Sequence, residues 1–241
     1  MIKKIMHLFT KIISLMFIFK VLITIDVYAE TSEVDFNKWI NEYKKEVYKK
    51  GISQNTIDEV FKNVKFIAKV IQYDRKQPEF FEDTITYVEK RATSSRAKKG
   101  SKLLKENNLL FKEVENKFNV EKEILIALWG IETNFGKHVG KMDIISCLAT
   151  LSYDKRRRAF FSQQLYVLLK LIDEKLVEPD ELYGSWAGAY GNFQFMPSTI
   201  SNYAIDYDNN KKIELKTSLK DSLASAANYI NKIGWKKNQP C

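Results

Sequence analysis

Apolar residues return at intervals of three and four along almost the whole of this chain, with hardly any two-residue alternation, and that pattern restricts it to a helical fold. Between Asp35 and Tyr48, Phe36, Trp39, Ile40, Tyr43 and Val47 fall on one helical face. Gly51 stops that helix, and "SQNTIDEVFKNV" opens the next with Ser53 at its N-cap. Pro78 begins a charged amphipathic segment whose basic part, Arg91 to Lys102, reads as a solvated face or a loop between helices. Asn119 is predicted to cap "VEKEILIALWGIE"; "RAFFSQQLYVLLKLIDEKL" and "DSLASAANYINKIG" follow as helices, the last closed by Gly234. Alternation is confined to stretches such as Lys212 to Leu215, so the fold class is mainly α with at most a minor β-hairpin.

The 241 residues, 45% apolar and 13% aromatic, suffice for one sizeable core and exclude a disordered or fibrous chain. Lys3, Lys4 and Lys11 precede an apolar stretch from Ile12 to Ile25, with Val27 and Ala29 after it, which is the layout of a signal peptide spanning 1–29. The rival reading is an uncleaved membrane anchor, against which Lys20 counts by shortening the apolar run below the ~20 residues of a spanning helix. Cys147 and Cys241 are the only cysteines, so no disulfide framework carries the fold, and Cys147 reads as a small buried hydrophobe. The signal's four lysines and one aspartate contribute +3 of the formal +9, leaving +6 on the remainder. A basic exported protein suits an acidic polymer such as a cell-wall glycan, or an anionic membrane face, better than nucleic acid; the charge also serves solubility.

The stretch "LWGIETNFG" holds the sharpest local signal. Val120, Ile124, Leu125, Leu128 and Ile131 are predicted to trace the apolar stripe of their helix, with Glu132 on its edge and its carboxylate toward the core side. Burial and the negative end of the helix dipole both raise the pKa of such a group, as general-acid catalysis at a glycosidic oxygen requires. A partly exposed or structurally paired glutamate is the plainer alternative. Farther on, "YGSWAGAYGNFQFMPS" supplies Gly184, Gly188 and Gly191 for close backbone approach. It also offers Trp186, Tyr190 and Phe193 as flat faces for sugars, and Ser185, Asn192 and Gln194 as hydrogen-bonding groups. Its plain alternative is a packed turn with aromatic plugs.

The blocks "WGIETNFG", "CLATLSYDKRRRAFF", "GSWAGAYGNFQFMPS" and "DSLASAANYINKIGW" stand in the order and spacing of the lytic murein transglycosylases of the membrane-bound B type, which the chain resembles from Asp35 to Cys241. The resemblance implies a lysozyme-like helical domain of the goose type, from 30 to 241, with amino-terminal helices over 30–112 and a catalytic core over 113–241. It further implies Glu132 as single acid and base. The substrate would be the peptidoglycan glycan strand, cleaved between MurNAc and GlcNAc with formation of a 1,6-anhydro sugar. Ser185, Tyr190, Gln194 and Tyr229 would line the cleft, and two of Arg156, Arg157 and Arg158, assigned as Arg157 and Arg158, would lie near the peptide stems.

No carboxylate follows Glu132 before Asp143, which agrees with an intramolecular displacement in place of the second carboxylate of a hydrolase. No cofactor is expected, although some relatives carry a calcium loop. Asp206, Asp208, Asn210 and Asp221 keep its oxygen ligands while Lys211 stands at the turn glycine. Phe193 replaces a glycine common in the family, and the family continues past Trp235, so the chain is expected to be shortened at its carboxyl end. The expected protein is a periplasmic monomer, exported and open to membrane association. A catalytically impaired murein binder and a hydrolytic muramidase are the alternatives.

Overall fold

The computed structural model describes residues 33–76 and 83–239. The signal peptide or anchor, Pro78 and Cys241 lie outside the described residues. The chain divides into two compact units, 1–46 and 47–241. In the first, the described residues are helical and belong to α1 (33–49), where Phe36, Ile40 and Tyr43 are buried as the spacing predicted and Trp39 stacks between Phe36 and Tyr43.

The second unit holds α2 (Gln54–Phe61), α3 (Ala68–Lys76), α4 (Thr84–Arg91), α5 (Ser94–Glu106), α6 (Asn108–Phe118) and α7 (Lys122–Thr133). After these come α8 (Ile144–Tyr153), α9 (Arg158–Asp173), α10 (Pro197–Tyr203) and α11 (Leu219–Lys232). The core is built on α8, "IISCLATLSY", in which every residue from Ile144 to Ser152 is buried. A helix apolar on all sides has to be surrounded, and α9 and α3 pack against it. Its polar members are absorbed: Ser146 Oγ and Thr150 Oγ1 accept the backbone N–H of Lys65 and Ile67, fastening the segment before α3 along the helix. Cys147 is fully buried, and burial pushes its thiol up to about 12, as befits a small inert hydrophobe. Ser53 caps α2 as predicted, accepting from Thr56 N, and Gly234 follows the end of α11 at φ +107°.

The fold is mainly α, and its only sheet among the described residues pairs β1 (Met142–Asp143) antiparallel with β2 (Tyr183–Gly184). These strands form no hairpin, because α8 and α9 lie between them, and Lys212 to Leu215 is not a strand. Arg91 to Lys102 closes α4 and fills most of α5, where only Gly100 is buried, so the basic run is a solvated face. Asn119 does not cap α7. It ends α6 in the left-handed conformation at φ 55°, which asparagine tolerates, and Glu121 occupies the N-cap of α7.

The apolar stripe of α7 is also displaced from the predicted one. Leu125, Ile126, Trp129, Gly130 and Thr133 are buried, whereas Ile124 and Leu128 are half-buried and Ile131 is 44% exposed. The mixed hydrophobic run on α7 left the face undetermined by period alone; the partners of Trp129 and Thr133 decided it.

Candidate active site

The site begins at the last turn of α7. Glu132 flanks the buried stripe, at its edge as the spacing predicted, and the residue as a whole is exposed. A residue at the rim of a stripe has protein on one flank and water on the other. The protein on its inner flank nonetheless desolvates the carboxylate and pushes its pKa above the ordinary glutamate value. Among the described residues no cation or hydrogen-bond donor pairs with it.

The adjacent Thr133 is fully buried and ties the helix end to the glycine-rich loop, donating from Oγ1 to Asn192 O at 2.8 Å and accepting from Gly136 N at 3.0 Å. Trp129 Nε1 donates to Asn192 Oδ1 at 2.9 Å. The amide nitrogen of Asn192 in turn donates to the carbonyls of Leu215 and Lys216 and to Ser222 Oγ. Asn192 is therefore a structural rivet and not a sugar ligand. The pairing of Thr133 with Asn192 is the functional feature that the sequence did not disclose, since neither residue carries a periodic signal.

Two close approaches bring the loop to the segment after Glu132. Gly140, at φ +87°, leaves no room for a side chain, because a Cβ there would lie 2.1 Å from the carbonyl of Gly184. Gln194, held at φ 50°, donates from Nε2 to Val139 O and Gly191 O. Its Oε1 has no donor among the described residues. Ser185 Oγ accepts from Ala187 N and Ala189 N, which leaves its proton to donate.

The aromatic residues of the loop divide. Tyr190 and Phe195 exchange backbone hydrogen bonds in a short antiparallel bridge. Tyr190, Phe193 and Phe195 are buried, so the first two are core plugs and offer no free face to a sugar. Trp186 is half-buried, with its ring 6.2 Å from that of Tyr73. Tyr229 of α11 meets Phe195 and Tyr203 edge to face at 5.7 and 5.1 Å, and its hydroxyl is without a partner among the described residues.

The arginines stand at the junction of α8 and α9. Arg156 and Arg157 both bind the buried Asp74 of α3, Arg156 Nη1 at 2.6 Å from Oδ2. Arg158 donates to the carbonyls of Ser152 and Tyr153. Burial alone would raise the pKa of Asp74, but hydrogen bonds and charge from Arg156 and Arg157 outweigh it and hold the carboxyl below the usual range. α3 connects this cluster to the loop, since Tyr73 faces Trp186 and Asp74 holds the arginines. Asp143, the first acid downstream of Glu132, is occupied as the N-cap of α8, accepting from Ile145 N and Ser146 Oγ.

Away from Glu132, carboxylate oxygens of Asp206, Asp208 and Asp221 converge within 4.8 Å of one another. Asp221 is fully buried and accepts from Tyr207 N and Glu214 N. Burial raises its pKa against those two hydrogen bonds, and the charges of Asp208 and Asp206 add to the rise. Lys211 takes the left-handed turn at φ 70°, and Asn210 accepts from Lys212 N while donating to Glu214. Three convergent carboxylates fit a hard, oxygen-seeking cation such as calcium.

The profile of the transglycosylase SLT domain matches residues 35–241. Over 121 residues the chain is 40% identical to the membrane-bound lytic murein transglycosylase B of Escherichia coli (strain K12), an alignment covering 50% of this chain and 33% of that protein. Its fold superimposes with a TM-score of 0.81 on SltB3 from Pseudomonas aeruginosa in complex with NAG-NAM-pentapeptide, at 36% identity, over 85% of this chain and 55% of that one. With the Escherichia coli transglycosylase Slt35 in complex with calcium the TM-score is 0.72 at 30% identity, over 86% and 65% of the two chains. The chain thus spans a third to two thirds of the length of these relatives. Profile, identity and fold agree, and the chain belongs to the transglycosylase SLT domain family.

Proposed function

We propose that the protein is a lytic transglycosylase that cleaves the β-1,4 bond between MurNAc and GlcNAc in peptidoglycan and leaves a 1,6-anhydro-MurNAc end. The observation that carries this reading is Glu132: a carboxyl without a partner among the described residues, its pKa raised by desolvation, at a helix end riveted to a glycine-rich loop. Protonated, it donates to the bridging oxygen as the bond from the anomeric carbon breaks. Ionised, it then takes the proton from the MurNAc 6-hydroxyl as that oxygen closes on the anomeric carbon, so no water is consumed and the carboxyl ends as it began. With Asp143 committed to a helix cap, a single acid and base is the simplest assignment.

In this reading Ser185 donates and Gln194 Oε1 and the Tyr229 hydroxyl bond to sugar groups, while the buried Tyr190 acts by holding the loop. Arg157, 36% exposed beside Asp74, and Arg158 face the acidic peptide stems. Within this reading the catalytic core is the stretch 113–241, which carries Glu132 and the glycine-rich loop. A monomer exported to the periplasm by the segment 1–29 would meet this substrate, and membrane association would rest on that segment. No helix among the described residues is long and apolar enough to cross a membrane. Calcium at Asp206, Asp208 and Asp221 would brace the loop before α11 and take no part in the proton transfers.

The test is mass spectrometry of purified sacculi digested with the wild-type chain and with Glu132→Gln. Anhydro-muropeptides from the wild type and none from a folded Glu132→Gln are expected. Reducing-end products would instead identify a hydrolytic muramidase, and retention on sacculi without products a murein binder; undiminished release by the variant would remove Glu132 from the mechanism.

A further inference from the structure

We propose that Phe135, gripped by Lys99 of α5, is a positioning residue for Glu132, its ring wedged beneath the last turn of α7 to fix where the carboxyl stands. The proposal rests on the reading of Glu132 as the acid. After Thr133 the chain turns back through three consecutive left-handed residues, Asn134, Phe135 and Gly136, at φ 51°, 60° and 76°. Asparagine tolerates this region, but a phenylalanine there persists only where the surroundings over-determine it.

Here the surroundings are specific. A Cβ on Gly130 would lie 2.8 Å from Phe135 Cζ and one on Gly100 would lie 3.2 Å away, so the two glycines form the slot that holds the ring. Trp129 meets the ring edge to face at 5.7 Å. From the other side Lys99 Nζ donates to Asn134 O at 3.1 Å and stands 5.0 Å from the Phe135 ring centroid, so one side chain of α5 binds both left-handed residues.

Two anchors follow Glu132 directly along the chain: Thr133 is fixed to Asn192, and the turn through Asn134 and Phe135 is fixed to α5 by Lys99. The Glu132 side chain has no partner among the described residues, so its place is set by the backbone these anchors hold. A cavity of about 310 Å³ between α5 and α7, lined by Leu104, Ile126, Gly130, Ile131 and Phe135, adjoins the ring and gives it somewhere to go when displaced.

Gly130→Ala puts a methyl group in the slot while supplying a better helix former, and the cavity receives the ring, so the variant folds. Lys99→Met removes the grip and Lys99→Arg keeps it. Two readouts on the full chain decide the matter: titration of the Glu132 carboxyl by ¹³C NMR, and kcat and KM for anhydro-muropeptide release from sacculi. Gly130→Ala and Lys99→Met are expected to move the titration toward the ordinary glutamate range. They are also expected to lower kcat by about 10- to 100-fold, as misplacement of a catalytic group does, with KM changed by less than about twofold. Lys99→Arg restores both.

Wild-type titration and kcat in Gly130→Ala and Lys99→Met would overturn the proposal. If the wild type releases no anhydro product the functional reading fails, and the titration still decides the positioning. If Gly130→Ala unfolds, the Lys99 pair decides it.

Discussion

Replacing Asn192 by alanine removes the single side chain that joins α7, the glycine-rich loop and the start of α11. Asn192 is 5% exposed and its side chain makes four hydrogen bonds. The losses are unequal. Leu215 O keeps two other donors, Asn192 N and Ser222 Oγ, so the missing amide donors cost about 1 kcal/mol net. Trp129 Nε1–H, on a side chain 8% exposed, loses its acceptor, and an orphaned buried donor costs about 1–3 kcal/mol. The expected destabilisation is about 3 kcal/mol, or a fall in Tm of about 6–12 °C for a domain of this size.

Urea unfolding followed by tryptophan fluorescence measures it, and a second background apportions it. In Trp129→Phe, which has no donor to orphan, Asn192→Ala is expected to cost about 1–2 kcal/mol less. An equal cost in both backgrounds, or a cost below about 1 kcal/mol in the wild type, would show that the rivet carries no stability and would refute the accounting.

Three further outcomes follow from the charges. Because the folded pKa of Glu132 is raised, the folded state binds its proton more tightly than the unfolded chain, and wild-type stability falls as pH rises through that window. Glu132→Gln should therefore be the more stable protein at pH 7, with the difference closing below about pH 4 in urea titrations across pH. Asp74 is the opposite case. Its depressed pKa contributes stability above the ordinary carboxylate range that is lost as pH falls, so Asp74→Asn should cost about 2 kcal/mol at neutral pH and progressively less in acid. That figure lies below the usual cost of breaking a buried pair because Arg156 and Arg157 are 45% and 36% exposed. Calcium at a hundredfold excess over its Kd should stabilise the wild type by about 2.7 kcal/mol, and Asp206→Asn and Asp208→Asn should melt at the same temperature with calcium as with chelator.

Much of the site was legible in local pattern, and the gaps have physical causes. Glu132 was legible because a charge interrupts an apolar helical run directly before a turn. Its surroundings were not. Helical period fixes which residues share a face, but α7 has hydrophobes on more than one, and the faces were separated by Asn192, which reaches it from the glycine-rich loop, and by Phe135, folded back from the turn that follows it. The aromatic residues of the loop show the same limit. Tyr190, Phe193 and Trp186 look alike as flat, polar-tipped or apolar rings, and only the backbone bridge from Tyr190 to Phe195 separates the buried pair from the half-exposed tryptophan. Asn119 misled because asparagine favours both an N-cap and a left-handed C-cap, and a short link between α6 and α7 allows either.

By itself the sequence determined the helical class and the glutamate in the last turn of α7, because periodicity and a misplaced charge are properties of neighbours along the chain. Tertiary structure alone decided which flank of α7 is buried and what fastens the helix end that carries Glu132. Each of those depends on residues tens of positions apart, such as Thr133 with Asn192 and Lys99 with Asn134. No local rule ranks such pairs, and close packing chooses among them only when the whole core is assembled.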